Sequence, residues 1–203
     1  MLMTRNDIEQ LFKTLSPAPE PTERNAAVLV PLTQRAGEVC VLLEVRAAAL
    51  RHQPGEICFP GGGMEPGEDA AACALRETEE ELGLTARQID LIAPLPALRH
   101  SSGQRVEAVL GWVDSLEGLC LQREEVAEAF LLPLSWLRGN PPKWATYATV
   151  MELDTAPEEL LPFLPHYRRE RRTPIWVYQG HVIWGLTAKV LVNLVETLKG
   201  IPD

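Results

Sequence analysis

A helix with three glutamates along one side, entered through three consecutive glycines, constrains this chain more than any other feature. Residues 61–84 read GGGMEPGEDAAACALRETEEELGL. The pattern predicts a helix over 69–82. At about 100° per residue, Ala71, Ala74, Leu75, Thr78 and Leu82 share a stripe that faces a core. Glu77 and Glu81 then lie about 40° and one turn apart, with Glu80 about 60° from Glu77 on the other side. Like charges at this spacing repel. They become favourable around a hard divalent cation, because Mg²⁺ and Mn²⁺ take oxygen ligands and sit between a few carboxylates and a substrate's phosphates. The alternative is a solvated acidic face with Arg76 as a partial partner. The glycines weigh against that alternative, since Gly61, Gly62 and Gly63 after Pro60 permit tight backbone and close approach to a ligand or metal.

The rest of the chain frames this element as one domain spanning residues 1–203. A chain of 203 residues buries enough apolar surface to fold without metal or disulfide staples. With 46% hydrophobic and 23% charged residues it is neither disordered, collagen-like nor a coiled-coil rod. The 19 basic and 28 acidic side chains leave a net charge of −9, which argues against nucleic-acid or membrane-surface binding. The first residues carry no signal-peptide pattern and no run is long enough to span a bilayer, so a cytoplasmic protein is expected. Cys40, Cys58, Cys73 and Cys120 have no CxxC or Cys–His spacing and read as reduced thiols filling core space.

Periodicity predicts a helix over about 4–15, with Thr4 and Asp7 resembling a capping box. Strands follow over 26–32 and 39–45 around a Gly37 turn, and then a loop over 52–67. Further strands are expected over 91–98, 106–113, 144–153 and 175–183, the last with a turn at Gln179–Gly180. Residues 125–131 fit either a strand or a helix. Gly139-Asn140-Pro141-Pro142 reads as a long loop. A C-terminal helix over about 186–199 carries an apolar face of Leu186, Val190, Leu191, Leu194 and Leu198. This mixture is α/β (α+β), a layered domain of strands and a few helices.

The glycine-to-helix stretch resembles the Nudix box, Gx5Ex7REUxEExGU, where U is a bulky aliphatic. Gly62, Glu68, Arg76, Glu77, Glu80, Glu81 and Gly83 match its fixed letters, and Leu84 its last aliphatic. Thr78 departs at the first aliphatic position. There its methyl is expected to pack in the core while its hydroxyl bonds back to a carbonyl. An upstream pattern resembles the coenzyme A pyrophosphatase motif LLTxR(S/A)x3Rx3Gx3FPGG. Leu42, Leu43, Arg46, Ala47, Arg51, Gly55 and Phe59-Pro60-Gly61-Gly62 match, and Glu44 stands in place of the threonine. Glu44 therefore adds negative charge near a presumed anion site. Softer similarities are Glu125-Val126, Phe130 and Pro133-Leu134, and Trp184-Gly185-Leu186-Thr187-Ala188 before the last helix.

The resemblance implies a Nudix-type α/β/α sandwich with a mixed β-sheet and a metal-dependent hydrolysis of a nucleoside diphosphate linked to another group. With coenzyme A the products would be 3′,5′-ADP and 4′-phosphopantetheine. It implies Mg²⁺ or Mn²⁺ on Glu77 and Glu81, with Glu80 sharing or bridging a second ion and a carbonyl of the glycine loop completing the shell. Arg76 would brace the helix through Glu68. Arg46 and Arg51, with Gly61 and Gly62, would receive the substrate's phosphates, because guanidinium groups bind phosphate bidentately. Glu125 is the first choice as water-activating base and Glu80 the second. The run Arg168-Arg169-Glu170-Arg171-Arg172 reads as a solvated loop, or else as a holder for the 3′-phosphate or for a partner subunit. A small-molecule substrate and a possible homodimer are the expected partners. The same chemistry on ADP-ribose or a dinucleotide, and a Nudix-fold binding module without catalysis, are the competing readings.

Overall fold

The computed structural model describes residues 25–99, 104–149, 162 and 169–199. The helix expected over about 4–15 lies outside these residues. The described elements run β1 (Ala26–Arg35), β2 (Glu38–Arg46), β3 (Ile57–Cys58), β4 (Gly61–Gly63), α1 (Ala70–Leu82), β5 (Ile89–Arg99), β6 (Arg105–Val113), β7 (Val126–Pro133), α2 (Leu134–Gly139), β8 (Lys143–Thr149), β9 (Arg169–Tyr178), β10 (His181–Ile183) and α3 (Gly185–Thr197). Strands β3-β2-β1-β6-β5 form the spine of a seven-stranded sheet, with β4 on β1 and β7 on β2. The β1–β6 pair is parallel and the other pairs are antiparallel, so the sheet is mixed. Strands β10-β9-β8 form a separate antiparallel sheet.

Alternation along the strands builds two cores, one on each face of the large sheet. From β1 and β2, Ala27, Leu29 and Leu42 face α1 and pack with its Cys73, Ala74 and Leu82. Val30, Leu32, Val41 and Leu43 face the other way and pack with Val190, Leu191 and Leu194 of α3 and Trp176 of β9. The result is an α/β/α layering. No helix among the described residues is long and apolar enough to cross a membrane.

Helix α1 has clear local causes. Asp69 caps it by accepting from the Ala72 amide at 2.8 Å, and Gly83, at φ 70°, closes it with its N–H on the Glu79 carbonyl. Thr78 is fully buried, and its hydroxyl donates to the Ala74 carbonyl at 2.6 Å, as its position predicted. The buried stripe is rotated from the predicted one: Cys73 and Glu81 are buried, while Ala71 and Leu75 are only partly so. A buried glutamate on a core-facing stripe requires a local reason, which the site supplies.

Four expectations change. The region 52–67 is not loop throughout, because β3 and β4 lie inside it. Gly61–Gly63 pairs with β1 through backbone alone, and a glycine run carries no alternation by which to foresee a strand. Residues 126–133 are strand, resolving the ambiguity there. The expected long loop at 139–142 is short, since α2 runs to Gly139 and β8 starts at Lys143. The basic run is not a loop: from Arg169 onward it belongs to β9, which starts six residues earlier than the apolar pattern suggested. All four cysteines are free. Cys40 and Cys73 are buried as expected, Cys58 is partly covered, and Cys120 is exposed.

Candidate active site

The site forms where β2, β3, β4 and the start of β7 meet the buried side of α1. Strand β4 runs antiparallel to β1, pairing Gly61 with Val28, Gly62 with Ala27 and Gly63 with Ala26. It is pinned at both ends, by Leu29 N–H on the Pro60 carbonyl and Met64 N–H on the Asn25 carbonyl. Phe59 and Pro60 are buried, so the turn is packed. This leaves the Gly61 amide facing α1, where it donates to Oε2 of Glu81 at 2.8 Å. Glu81 is 3% exposed. Glu77, one turn earlier, packs its carboxylate over the Cα of Gly62, in the space a β-carbon would occupy.

Arg76 braces the arrangement. Its Nε and Nη2 grip both oxygens of Glu68 at 2.9 and 3.1 Å, and Nη2 also donates to the Gly63 carbonyl at 3.2 Å. Its Nη1 reaches Glu77 at 2.9 Å and Glu80 at 3.3 Å. This is the bracing role expected of it. The Arg76 contact holds the Glu68 carboxyl well below the usual range, at about 2, with help from the Glu65 amide. A pKa below the ordinary 4.5 means the folded state gains from the charge above that value and loses the gain as pH falls toward 2. A Glu68→Gln protein is therefore expected to melt a few degrees below the parent at neutral pH. The gap should stay constant above about pH 5 and close as the pH falls toward 2. Paired melting curves across that range check it, and a gap that widens in acid would contradict the pairing.

Glu44, expected from the sequence as a charge near an anion site, is within reach of the Arg46 charge and also belongs to the carboxylate group. On β2 it shares a face with Leu42, the α1 side of the sheet, and it is 1% exposed. It sits opposite Cys58 on β3 and Ala129 on β7. The Cys58 thiol donates to its Oε1 at 3.2 Å, while Oε2 is buried with no hydrogen-bond partner. Burial raises the Glu44 pKa to about 7, and the charges of Glu125 and Glu77 add to the rise. Burial likewise pushes Glu81 well up, with Glu44, Glu77 and Glu125 contributing. Glu77 is raised by burial and held back by Arg76. The same environment pushes the Cys58 thiol up, so it stays a neutral donor.

Glu44, Glu77 and Glu125 thus each act on buried Glu81, and the Glu125 charge also reaches Glu44 and Glu77. Among the described residues no three acidic, thiol or imidazole side chains are already gathered at ligand spacing, and the Arg76 guanidinium supplies the positive charge at Glu77. The donor chemistry nevertheless fits a hard divalent cation: all-oxygen, anionic, partly buried, with an unpartnered buried carboxylate oxygen on Glu44.

The other predicted residues separate into two groups. Arg46, partly buried, donates from Nε to the His52 carbonyl at 3.4 Å and lines a cleft of about 530 Å³ together with Cys58 and Gly61. Arg51 is exposed on the following loop and is not among the cleft's lining side chains. Glu80 is 58% exposed and turned toward Arg76. Glu125 is exposed at the start of β7, held by its carbonyl accepting from the Ala47 amide at 2.7 Å. That bond ties the turn before β7 to the end of β2, which brings Glu125 beside the buried carboxylates.

A family model described as NUDIX domain matches residues 23–153. Nudix hydrolase 3 of Caenorhabditis elegans is 29% identical, over 96% of this chain and 85% of that protein. The peroxisomal coenzyme A diphosphatase NUDT7 of Mus musculus is 37% identical, over 54% of this chain and 47% of its own length. An uncharacterized Nudix hydrolase NudL of Cronobacter sakazakii is 31% identical, over 85% of this chain and 81% of that protein. A MutT/nudix family protein of known structure from Enterococcus faecalis superposes with a TM-score of 0.50 over 96% of this chain and 68% of the other, at 14% identity, a likeness of fold alone.

Proposed function

Since the chain belongs to the Nudix hydrolase family and is a pyrophosphohydrolase, we propose that it cleaves the diphosphate of coenzyme A or a derivative, giving 3′,5′-ADP and 4′-phosphopantetheine or its acyl form. One observation carries the reading: the box carboxylates Glu77 and Glu81 meet the glycine turn at the edge of a cleft that Arg46, from the upstream motif, also lines. The likeness to the mouse coenzyme A diphosphatase supports the choice of substrate.

Nudix hydrolases use a divalent metal, and Mg²⁺ or Mn²⁺ is the ion proposed here. Bound among the carboxylates, it would neutralise the bridging oxygens and make a water acidic enough to attack at neutral pH. Glu81 and Glu77 would hold it, with Glu44 offering its unpartnered oxygen. The Gly61 amide donates to Glu81, which favours the charged carboxylate that a metal would need. Arg46 would bind a phosphate of the diphosphate, and Arg51, more exposed, would engage only substrate that extends to the loop. Glu125 would take the proton of the attacking water on a carboxylate oxygen, and Glu80, already engaged by Arg76, is the second choice. Arg76 positions the helix and does not itself touch substrate.

The test compares kcat/KM for coenzyme A, ADP-ribose, NADH and a nucleoside triphosphate, each with Mg²⁺ and with Mn²⁺. Coenzyme A is expected to lead by at least about tenfold, the value of one good charged contact. A lead by any other substrate would leave the hydrolase and overturn the coenzyme A reading.

A further inference from the structure

The cleft beside Gly61 has a second wall, built from elements outside the box. Tyr147 on β8, Arg171 on β9, and Trp184 and Lys189 at α3 all line it. In a chain of net charge −9 the lining is locally basic: Arg46, Arg99, Arg171 and Lys189 against one acid, Glu56. Its volume of about 530 Å³ suits a nucleotide-sized ligand far better than a lone diphosphate.

Strand alternation decides which arginine of the basic run faces the cleft. On β9, Arg171 pairs directly across from Tyr147 on β8, and both line the cleft. Arg172 pairs with Thr146 and falls on the opposite face, where its guanidinium stacks 5.1 Å over the Trp144 ring. Next to Arg171 on the cleft side, buried Thr173 accepts from the Gly185 amide and so ties β9 to the start of α3, the helix that carries Lys189. Arg171 and Lys189 are both partly buried, and among the described residues neither has an ion-pair partner. Two partly desolvated cations without a partner, facing a cleft, are positioned for an external anion.

We propose that Arg171 and Lys189, with Tyr147 beside them, form a second anion subsite that takes a phosphate monoester carried by the substrate away from its scissile diphosphate. A phosphate monoester bears about −1.5 to −2 charges near neutral pH, which two cations balance; a carboxylate would leave one uncompensated. Arginine also meets phosphate with a bidentate fork. The subsite deepens the proposed function and rests on it for the identity of the diphosphate.

The experiment separates the two. Binding of adenosine 3′,5′-bisphosphate and of adenosine 5′-monophosphate is measured by calorimetry at one ionic strength, for the parent protein and for Arg171→Gln, Lys189→Met and Arg172→Ala, each first shown to melt as the parent does. The parent should bind the bisphosphate at least about tenfold more tightly. Arg171→Gln and Lys189→Met should each remove most of that preference without weakening the monophosphate, and Arg172→Ala should keep it. If the parent binds both nucleotides alike, or if the preference survives both cleft variants, the subsite is refuted, whether or not coenzyme A is cleaved. If the preference follows Arg171 and Lys189 while coenzyme A is not cleaved, the subsite stands and the substrate assignment fails.

Discussion

Replacing Glu81 with glutamine is expected to lower kcat by about a thousandfold while the metal-free protein melts at or above the parent's temperature. Removing a preorganised charge at a reacting centre typically costs about 10²–10³ in rate, and Glu81 is buried, fixed by an amide and central to the carboxylate group. Glutamine keeps the volume, and its oxygen still accepts from the Gly61 amide. The stability expectation follows from charge. Burial and the neighbouring glutamates raise the Glu81 pKa, so the folded state is penalised wherever Glu81 is ionised. Stability of the metal-free parent should therefore fall as pH rises above the ordinary carboxylate value of 4.5, and the glutamine variant should be relieved of part of that fall. Mn²⁺ should raise the parent's melting temperature and raise the variant's much less. Turnover near the parent's, or equal protection by Mn²⁺, would remove Glu81 from the metal role.

Adjacent glycines should fail in opposite ways. A Cβ on Gly61 would press on the Ala27 carbonyl and lie 2.6 Å from the Val28 Cα, and φ there is +154°. Backbone of a paired strand cannot yield, so Gly61→Ala should lose roughly 3 kcal/mol or more, or fail to fold. At Gly62 the nearest atoms to such a Cβ all belong to the end of a side chain, the Glu77 carboxylate, 2.6 Å from Oε2. Gly62→Ala should fold, with melting within a few degrees of the parent, yet displace Glu77 by the width of a methyl. A displacement of about 1 Å at a reactive centre can cost about a hundredfold in rate. Melting curves and kcat on the two proteins check the contrast; two equally stable, equally active variants would contradict it.

The helix was readable because its signals are periodic and local. The Thr78 back-bond and the Arg76–Glu68 brace lie within about two turns of the groups they serve, and both stand where they were expected; the Asp69 and Gly83 caps are equally local. The strand pair 26–45 was readable from apolar runs around one turn. What the chain hid depends on pairing at a distance. Strand β4 is three glycines held only by the backbone of β1, and Glu44 becomes part of the site because β2 alternates it toward a helix some thirty residues later. Read along the chain, Glu44 is one acid near two arginines; read across the sheet, it is a buried carboxylate with an unpartnered oxygen. The basic run was misread as loop because β9 is specified by its register with β8, which sorts Arg171 from Arg172.

The measurement that bears most directly on the central claim is product identification by mass, with coenzyme A as sole substrate, for protein loaded with Mg²⁺ or Mn²⁺ and for the same protein with chelator. The account predicts 3′,5′-ADP and 4′-phosphopantetheine in equal amounts from the loaded protein and neither from the chelated one. Intact coenzyme A after prolonged incubation with loaded protein, or equal cleavage with chelator present, would contradict it.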